Sequence, residues 1–353
     1  MNADAPEQFH AVCPICRDRP GGPASLGVAD DFASDPSGVR HGVLRCADPG
    51  CAAEFPVVDG LPIVRADARD FLAAAQGALR RRADLPDALE RVLADTIDPG
   101  TREDLDRYYL SVYARDAYPG EGETSGIVAL LDEVLTISGA PLVPGGAVLE
   151  LGCGVGRACF ELAARGQIRV VGIDANLPML RCAAGVRDEG VARFGVRRAG
   201  VLYEPVERAH DSVGRERVEL WCAEALDPPF AEGSFDTVLA LNVLDCVASP
   251  VKLLQRASAM LRPGGRLMLT TPYDWTAGVT PMEAWLGGHS PRSDLAGDPA
   301  SVLRDLLDPD APGQTIDGLR QTAEKDRLPW STRLHDRARL EYTVHAIVAE
   351  KTE

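Results

Sequence analysis

Val148-Leu-Glu-Leu-Gly-Cys-Gly-Val-Gly156 runs from a short apolar strand directly into three glycines at alternate positions. Arg157 to Arg165 then has helical patterning, and Arg169-Val-Val-Gly-Ile173 reads as a second strand that ends on Asp174. A strand, a Gly-rich turn and a helix form one half of a doubly wound sheet, where glycines let the backbone approach a ligand that a Cβ would keep away. In such a sheet Asp174 falls at the carboxyl edge, within reach of ribose hydroxyls. A dinucleotide site expects G-x-G-x-x-G with a helix N-terminus facing a pyrophosphate. Here the spacing is G-x-G-x-G, with Glu150 two residues before the first glycine.

Outward from this point the strand and helix patterns continue to alternate. Val218-Glu-Leu-Trp-Cys, Phe235-Asp-Thr-Val-Leu-Ala-Leu, Arg266-Leu-Met-Leu-Thr and Tyr342 to Ala349 read as strands, and Leu253 to Leu261 as a helix. Alternation of this kind predicts an α/β fold, a mostly parallel sheet with helices on both faces, over 144–353. Residues 190–217 and 275–329 interrupt it as long insertions. Residues 66–143 read as a helical linker or lid, with helices near Phe71, over Leu85 to Leu93 and over Leu105 to Tyr118.

Residues 1–65 form a third unit. Cys13-Pro-Ile-Cys16 and Cys46-Ala-Asp-Pro-Gly-Cys51 are two knuckles whose spacing suits tetrahedral structural zinc held by Cys13, Cys16, Cys46 and Cys51. Four protein ligands leave no open position, so such an ion does no chemistry. The other five cysteines lie in apolar stretches and read as small buried residues of a reducing compartment.

The chain has 353 residues and a formal charge of −16. Even residues 1–65 hold five basic against nine acidic side chains. Nucleic-acid affinity rests on Lys and Arg replacing counterions, so this charge weighs against an RNA or DNA partner. No apolar run nears the ~20 residues that span a bilayer, and the N-terminus lacks a signal core, so a cytoplasmic protein without membrane contact is expected.

Residues 147–273 resemble class I S-adenosylmethionine (SAM)-dependent methyltransferases, a Rossmann-like family built on a seven-stranded sheet. The resemblance is carried by the 150–156 loop, Asp174, Ala223-Glu-Ala-Leu-Asp-Pro-Pro-Phe230, Phe235-Asp-Thr-Val and Leu261-Arg-Pro-Gly-Gly-Arg. It implies that Glu150, Gly152, Gly154 and Gly156 hold the donor. It further implies that Asp174 binds the ribose and that Glu224 and Ala225 flank adenine; Ala175 is a further candidate donor contact, and Asn242, at the carboxyl end of the fourth strand, is expected beside the methionine portion. The tail Glu54-Phe-Pro-Val-Val-Asp-Gly-Leu-Pro-Ile-Val64 resembles zinc ribbons of the methyltransferase-activator type.

A narrower resemblance covers about 145–350. Asn242-Val-Leu-Asp, Ser249-Pro, Arg262-Pro-Gly-Gly, Thr271-Pro-Tyr-Asp-Trp, Thr280-Pro-Met-Glu-Ala-Trp-Leu-Gly-Gly288 and Pro329-Trp to Tyr342 are similar to the mercaptohistidine N-methyltransferases of ovothiol synthesis. It implies a small histidine-like or other azole acceptor, methylated on a ring nitrogen. Free imidazole titrates near ~6.5, so at neutral pH much of it carries an available lone pair. A carboxylate that accepts one N–H leaves the other nitrogen facing the methyl. Asp274 or Asp245 is the candidate, with the Tyr273 hydroxyl orienting the ring. Tyr113, Tyr118, Trp275, Trp285 and Arg333 are candidate acceptor contacts, Arg333 through its fork of donors. An RNA base methyltransferase and an O- or C-methyltransferase of another metabolite are the alternatives.

Overall fold

The computed structural model describes residues 1–80, 92 and 96–352. The expected helix over Leu85 to Leu93 lies outside the described residues, Val92 excepted.

Strands β1 (Leu26–Asp35), β2 (Gly38–Cys46), β3 (Glu54–Val58) and β4 (Leu61–Pro62) form an antiparallel sheet in sequence order. Short helices Ala68–Ala74 and Gln76–Arg80 follow. Helix α1 (Arg102–Ala117) starts at Thr101, whose side chain accepts from the Asp104 amide. Helix α2 (Gly126–Ser138), not singled out in the sequence, is capped by Ser125 and stopped by left-handed Gly139.

The main sheet comprises β5 (Ala147–Leu151), β6 (Arg169–Asp174), β9 (Val218–Cys222), β10 (Phe235–Leu241), β11 (Leu261–Thr271), β12 (Leu319–His335) and β13 (Ala338–Lys351). Their order is β12-β13-β11-β10-β5-β6-β9. The five strands from β11 to β9 are parallel, and β13 and β12 add antiparallel at one edge. β5 and β9 are buried at every residue, so they read as continuous apolar runs. Helices α3 (Arg157–Ala164), α4 (Leu177–Glu189), α5 (Pro250–Met260) and α6 (Pro299–Leu306) supply the layers. Successive strand residues feed opposite cores, Leu149 and Leu151 one, Val148 the other. The chain winds from β5 to β6 on one side and returns to β10 on the other, so the topological switch point lies at the end of β5, where the glycines are.

Both expected insertions are more regular than loops. Within 190–217, β7 (Val191–Ala199) and β8 (Leu202–Ala209) form an antiparallel hairpin against α1, where the Arg197 amide donates to Ser111 Oγ at 2.8 Å. Within 275–329 lie α6 and the first part of β12.

The N-terminal module docks on the open side of β9. Ile63 bridges Cys222 in parallel, and the Val64 amide donates to the Cys222 carbonyl at 2.9 Å. Phe9 stacks on Phe235 and meets Phe230 edge-on, while Arg17 pairs with Asp227 at 2.6 Å. No described helix is long and apolar enough to cross a membrane.

Candidate active site

β5 delivers Glu150 to the switch point with 3% of its surface exposed. Its Oε2 accepts from the Cys159 thiol at 2.8 Å. Burial pushes its carboxyl up to about 8, with Asp174 adding and the thiol hydrogen bond opposing. Gly152 and Gly156 have φ of 71° and 76°. A Cβ on Gly152 would lie 2.2 Å from Val243 Cγ2, and one on Gly156 2.9 Å from Ala183 Cβ. The loop is thus wrapped tightly at both ends. Asp174 closes β6, and its two oxygens accept from the Gly154 amide at 2.8 Å and the Asn176 amide at 2.7 Å. These fix the carboxylate while leaving lone pairs for hydroxyls. Ala175 is exposed at the rim. The Ala223 amide bonds the Asp174 carbonyl at 3.1 Å, which brings Glu224 and Ala225 alongside.

Asn242 leaves β10 in the left-handed region, φ 53°. Its amide nitrogen donates to the Thr270 carbonyl at 2.9 Å, and its Oδ1 accepts from Thr270 Oγ1 at 2.8 Å. The Nδ2 donor is buried with no partner among the described residues. A fixed amide with a free buried donor suits an oxygen of a bound ligand.

Beyond the ends of β10 and β11, Asp245 is 3% exposed and braces the next loop. Its Oδ2 accepts from the Asp274 amide at 2.7 Å, its Oδ1 from Thr271 Oγ1 at 3.5 Å. Tyr273 and Asp274 diverge. The Tyr273 hydroxyl meets His345 Nδ1 at 2.7 Å, and His345 Nε2 meets Glu324 at 3.1 Å, itself paired with Arg304. Burial, then the charge of the Asp274 carboxylate, push the Tyr342 hydroxyl up to about 12. Tyr113 and Cys246 join Asp274, Asp245 and Tyr342. Both are surrounded by protein yet open to solvent, as side chains lining a cleft are. Burial, then the Asp245, Asp274 and Asp174 charges, push the Cys246 thiol up to about 12. The shift favours the neutral thiol.

The remaining candidates lie elsewhere. Tyr118 is 2% exposed and donates to the Val155 carbonyl at 2.8 Å, beneath the glycine loop. Trp275 and Trp285 stack with centroids 6.4 Å apart, and Trp285 donates to the Thr280 carbonyl at 2.8 Å. Arg333 is exposed and pairs with Glu123 at 3.6 Å. Sequence reasoning passed over Tyr342, taken only as the start of a strand, and Cys246, taken as core. Only their position at the strand ends could have marked them.

In the N-terminal module the four Sγ atoms of Cys13, Cys16, Cys46 and Cys51 lie within 4.8 Å of one another. Cys16 and Cys46 are 3.6 Å apart, Cys13 and Cys51 3.9 Å. Zn–S bonds of about 2.3 Å in a tetrahedron put sulfurs about 3.8 Å apart, so the set fits zinc.

A family model described as "Methyltransferase domain" matches residues 149–269. The chain is 30% identical over 129 residues to the 27-O-demethylrifamycin SV methyltransferase of Amycolatopsis mediterranei, 36% of this chain and 39% of that protein. It is 30% identical over 186 residues to the nocamycin O-methyltransferase of Saccharothrix syringae, 50% of this chain and 58% of that one. The chain thus spans less than two thirds of the length of these relatives. A SAM-dependent methyltransferase structure from Methanosarcina mazei is 20% identical, with a TM-score of 0.39, over 60% of this chain and 94% of that chain. The glycine loop at the switch point and the acid that closes β6 belong to the matched segment, and residues 149–269 are a class I SAM-dependent methyltransferase domain.

Proposed function

We propose that the protein transfers a methyl group from SAM to a small-molecule acceptor whose proton goes to Asp274. The observation that carries this is the position of Asp274 beyond the ends of β10 and β11, its amide held by Asp245 Oδ2 at 2.7 Å, at the same edge of the sheet that presents Asp174 and the glycine loop. SAM supplies an activated methyl on a sulfonium. Glu150, Gly152, Gly154, Gly156 and Asn242 hold its amino-acid end; Asp174, Ala175, Glu224 and Ala225 hold its nucleoside. The chain contributes alignment and exclusion of water.

For the acceptor, the finer reading is an azole nitrogen. Asp274 accepts the N–H of one ring nitrogen, so the lone pair of the other faces the methyl, and the carboxylate takes up the proton as charge develops. Asp245 acts through Asp274 by fixing its backbone, and Tyr273 sets the loop through His345. A second reading is a hydroxyl acceptor, favoured by the relative named as an O-methyltransferase. There Asp274 removes the hydroxyl proton as oxygen attacks. The net charge of −16 weighs against a nucleic acid. The four cysteines hold a structural zinc.

Labelled SAM offered with separate pools of azoles, phenols and alcohols, and RNA tests this. Methyl is expected on an azole, and Asp274→Asn should lower turnover ~100-fold or more while SAM affinity holds. Label only on hydroxyl oxygens selects the second reading. Full turnover by Asp274→Asn removes Asp274 from both.

A further inference from the structure

Arg65 lies outside the segment that carries the methyltransferase match, yet its side chain ends at the nucleoside side of the donor site. Three contacts place it there. The Val64 amide bonds the Cys222 carbonyl at 2.9 Å, so the backbone before Arg65 is hydrogen-bonded to β9. The guanidinium forks onto Asp67, Nε to Oδ1 at 2.8 Å and Nη2 to Oδ2 at 3.0 Å. Nη2 also reaches Glu224 Oε2 at 3.3 Å. The group lies over the Phe71 ring, 4.6 Å from its centroid, and the residue is 8% exposed. Its Nη1 is buried with no partner among the described residues.

We infer that Arg65 is a nucleobase-positioning residue supplied by the N-terminal module, acting on adenine through Glu224. This rests on the donor site proposed above. Glu224 leaves β9 two residues after Cys222 and is partly exposed, so its carboxylate is free to swing unless held. Arg65 holds one oxygen. The carboxylate so fixed accepts from the exocyclic amine of adenine, which is a donor. Hypoxanthine reverses this edge, with a carbonyl in place of the amine and N–H in place of a ring nitrogen. A fixed carboxylate opposed to that carbonyl repels it, whereas a mobile one turns away. Base selectivity therefore depends on Arg65 more than total affinity does.

Calorimetry with S-adenosylhomocysteine and S-inosylhomocysteine tests the inference on the full chain. The unaltered protein should prefer the adenosyl compound by about 10-fold or more, the scale of one hydrogen bond to a charged group. Arg65→Ala should lose most of that preference, chiefly by weakening the adenosyl compound. Arg65→Lys, which keeps a cation near Glu224 without the fork, should recover part of it. Glu224→Gln leaves the Arg65–Asp67 fork intact and should lose the preference as well, which covers the case of an Arg65 variant that fails to fold. Equal loss for both ligands in Arg65→Ala, or full preference in Glu224→Gln, would overturn the inference, since Arg65 would then only brace the fold. If the unaltered protein binds neither compound, the donor site itself falls and this inference with it.

Discussion

At Glu150, burial and ligand charge act in opposite directions. An ordinary glutamate titrates near 4.5, while this one is pushed up to about 8. Between those values the folded chain keeps a proton that the unfolded chain has released. Stability therefore falls as pH rises from about 4.5 to about 8, then levels off. Other buried acids such as Glu219 and Asp245 are raised too and add the same sign, whereas Asp188 and Asp67 are lowered and change stability only at and below their ordinary value of 3.8, outside this window. The difference between wild type and Glu150→Gln isolates the one residue. Denaturant melts from pH 5 to 8 should show a shallower decline in the variant. A ligand ammonium beside Glu150 favours its anion, so donor binding at pH 7 should release a proton. Calorimetry in buffers of unlike ionisation enthalpy reads that release; identical pH slopes and no linked proton would refute this placement. At this scale the sequence was legible where chemistry is local. Glycines, Glu150 and Asp174 sit in one motif, but Arg65 and Glu224 are 159 positions apart, and no spacing rule joins them.

The glycine loop is an element whose shape comes from its neighbours. Gly152→Ala places a methyl 2.2 Å from Val243 Cγ2, on the segment that also carries Asn242 and Asp245. The left-handed backbone alone costs ~1–2 kcal/mol for an L side chain. Gly154→Ala has the same backbone penalty, but its Cβ meets only Met179 Sδ at 3.8 Å. Gly152→Ala should therefore lower the melting temperature more than Gly154→Ala and also disturb the acceptor side. Matched melts and S-adenosylhomocysteine titrations check this, and equal stability losses would show that Val243 yields freely. Element by element, legibility followed burial. β5, β6, β9, β10 and β11 are apolar runs that announce themselves. β12 is an edge strand with Pro329 and long exposed stretches, and the β7–β8 hairpin turns few apolar residues inward, so both looked like loops.

Across the whole molecule, the N-terminal module and the main sheet are tied by backbone as well as side chains. β9 would otherwise be an open parallel edge. Residues 63 and 64 meet it at Cys222, and Phe9 closes the cluster of Phe230 and Phe235 beneath. This docking was not readable from the cysteine spacing, which describes the ribbon and says nothing of what it touches. The consequence is that the four-cysteine cluster stabilises more than its own module. Structural zinc in small zinc-finger peptides is worth ~10–16 kcal/mol, as much as the ~5–15 kcal/mol net stability of a whole domain. Cys13→Ser or Cys51→Ser should lose one zinc per chain and unfold residues 1–65, uncovering β9 and the Phe230–Phe235 surface. Elemental analysis reads the metal. Hydrogen exchange at the Val64 amide reads the docking, because that proton is held by the Cys222 carbonyl. Loss of zinc with rapid Val64 exchange and faster aggregation is the expected result. Zinc absent from freshly purified, unchelated protein would remove the metal from the account. A zinc-free variant that keeps Val64 protected would show that the sheet contact and the Phe9 cluster hold the module without the metal.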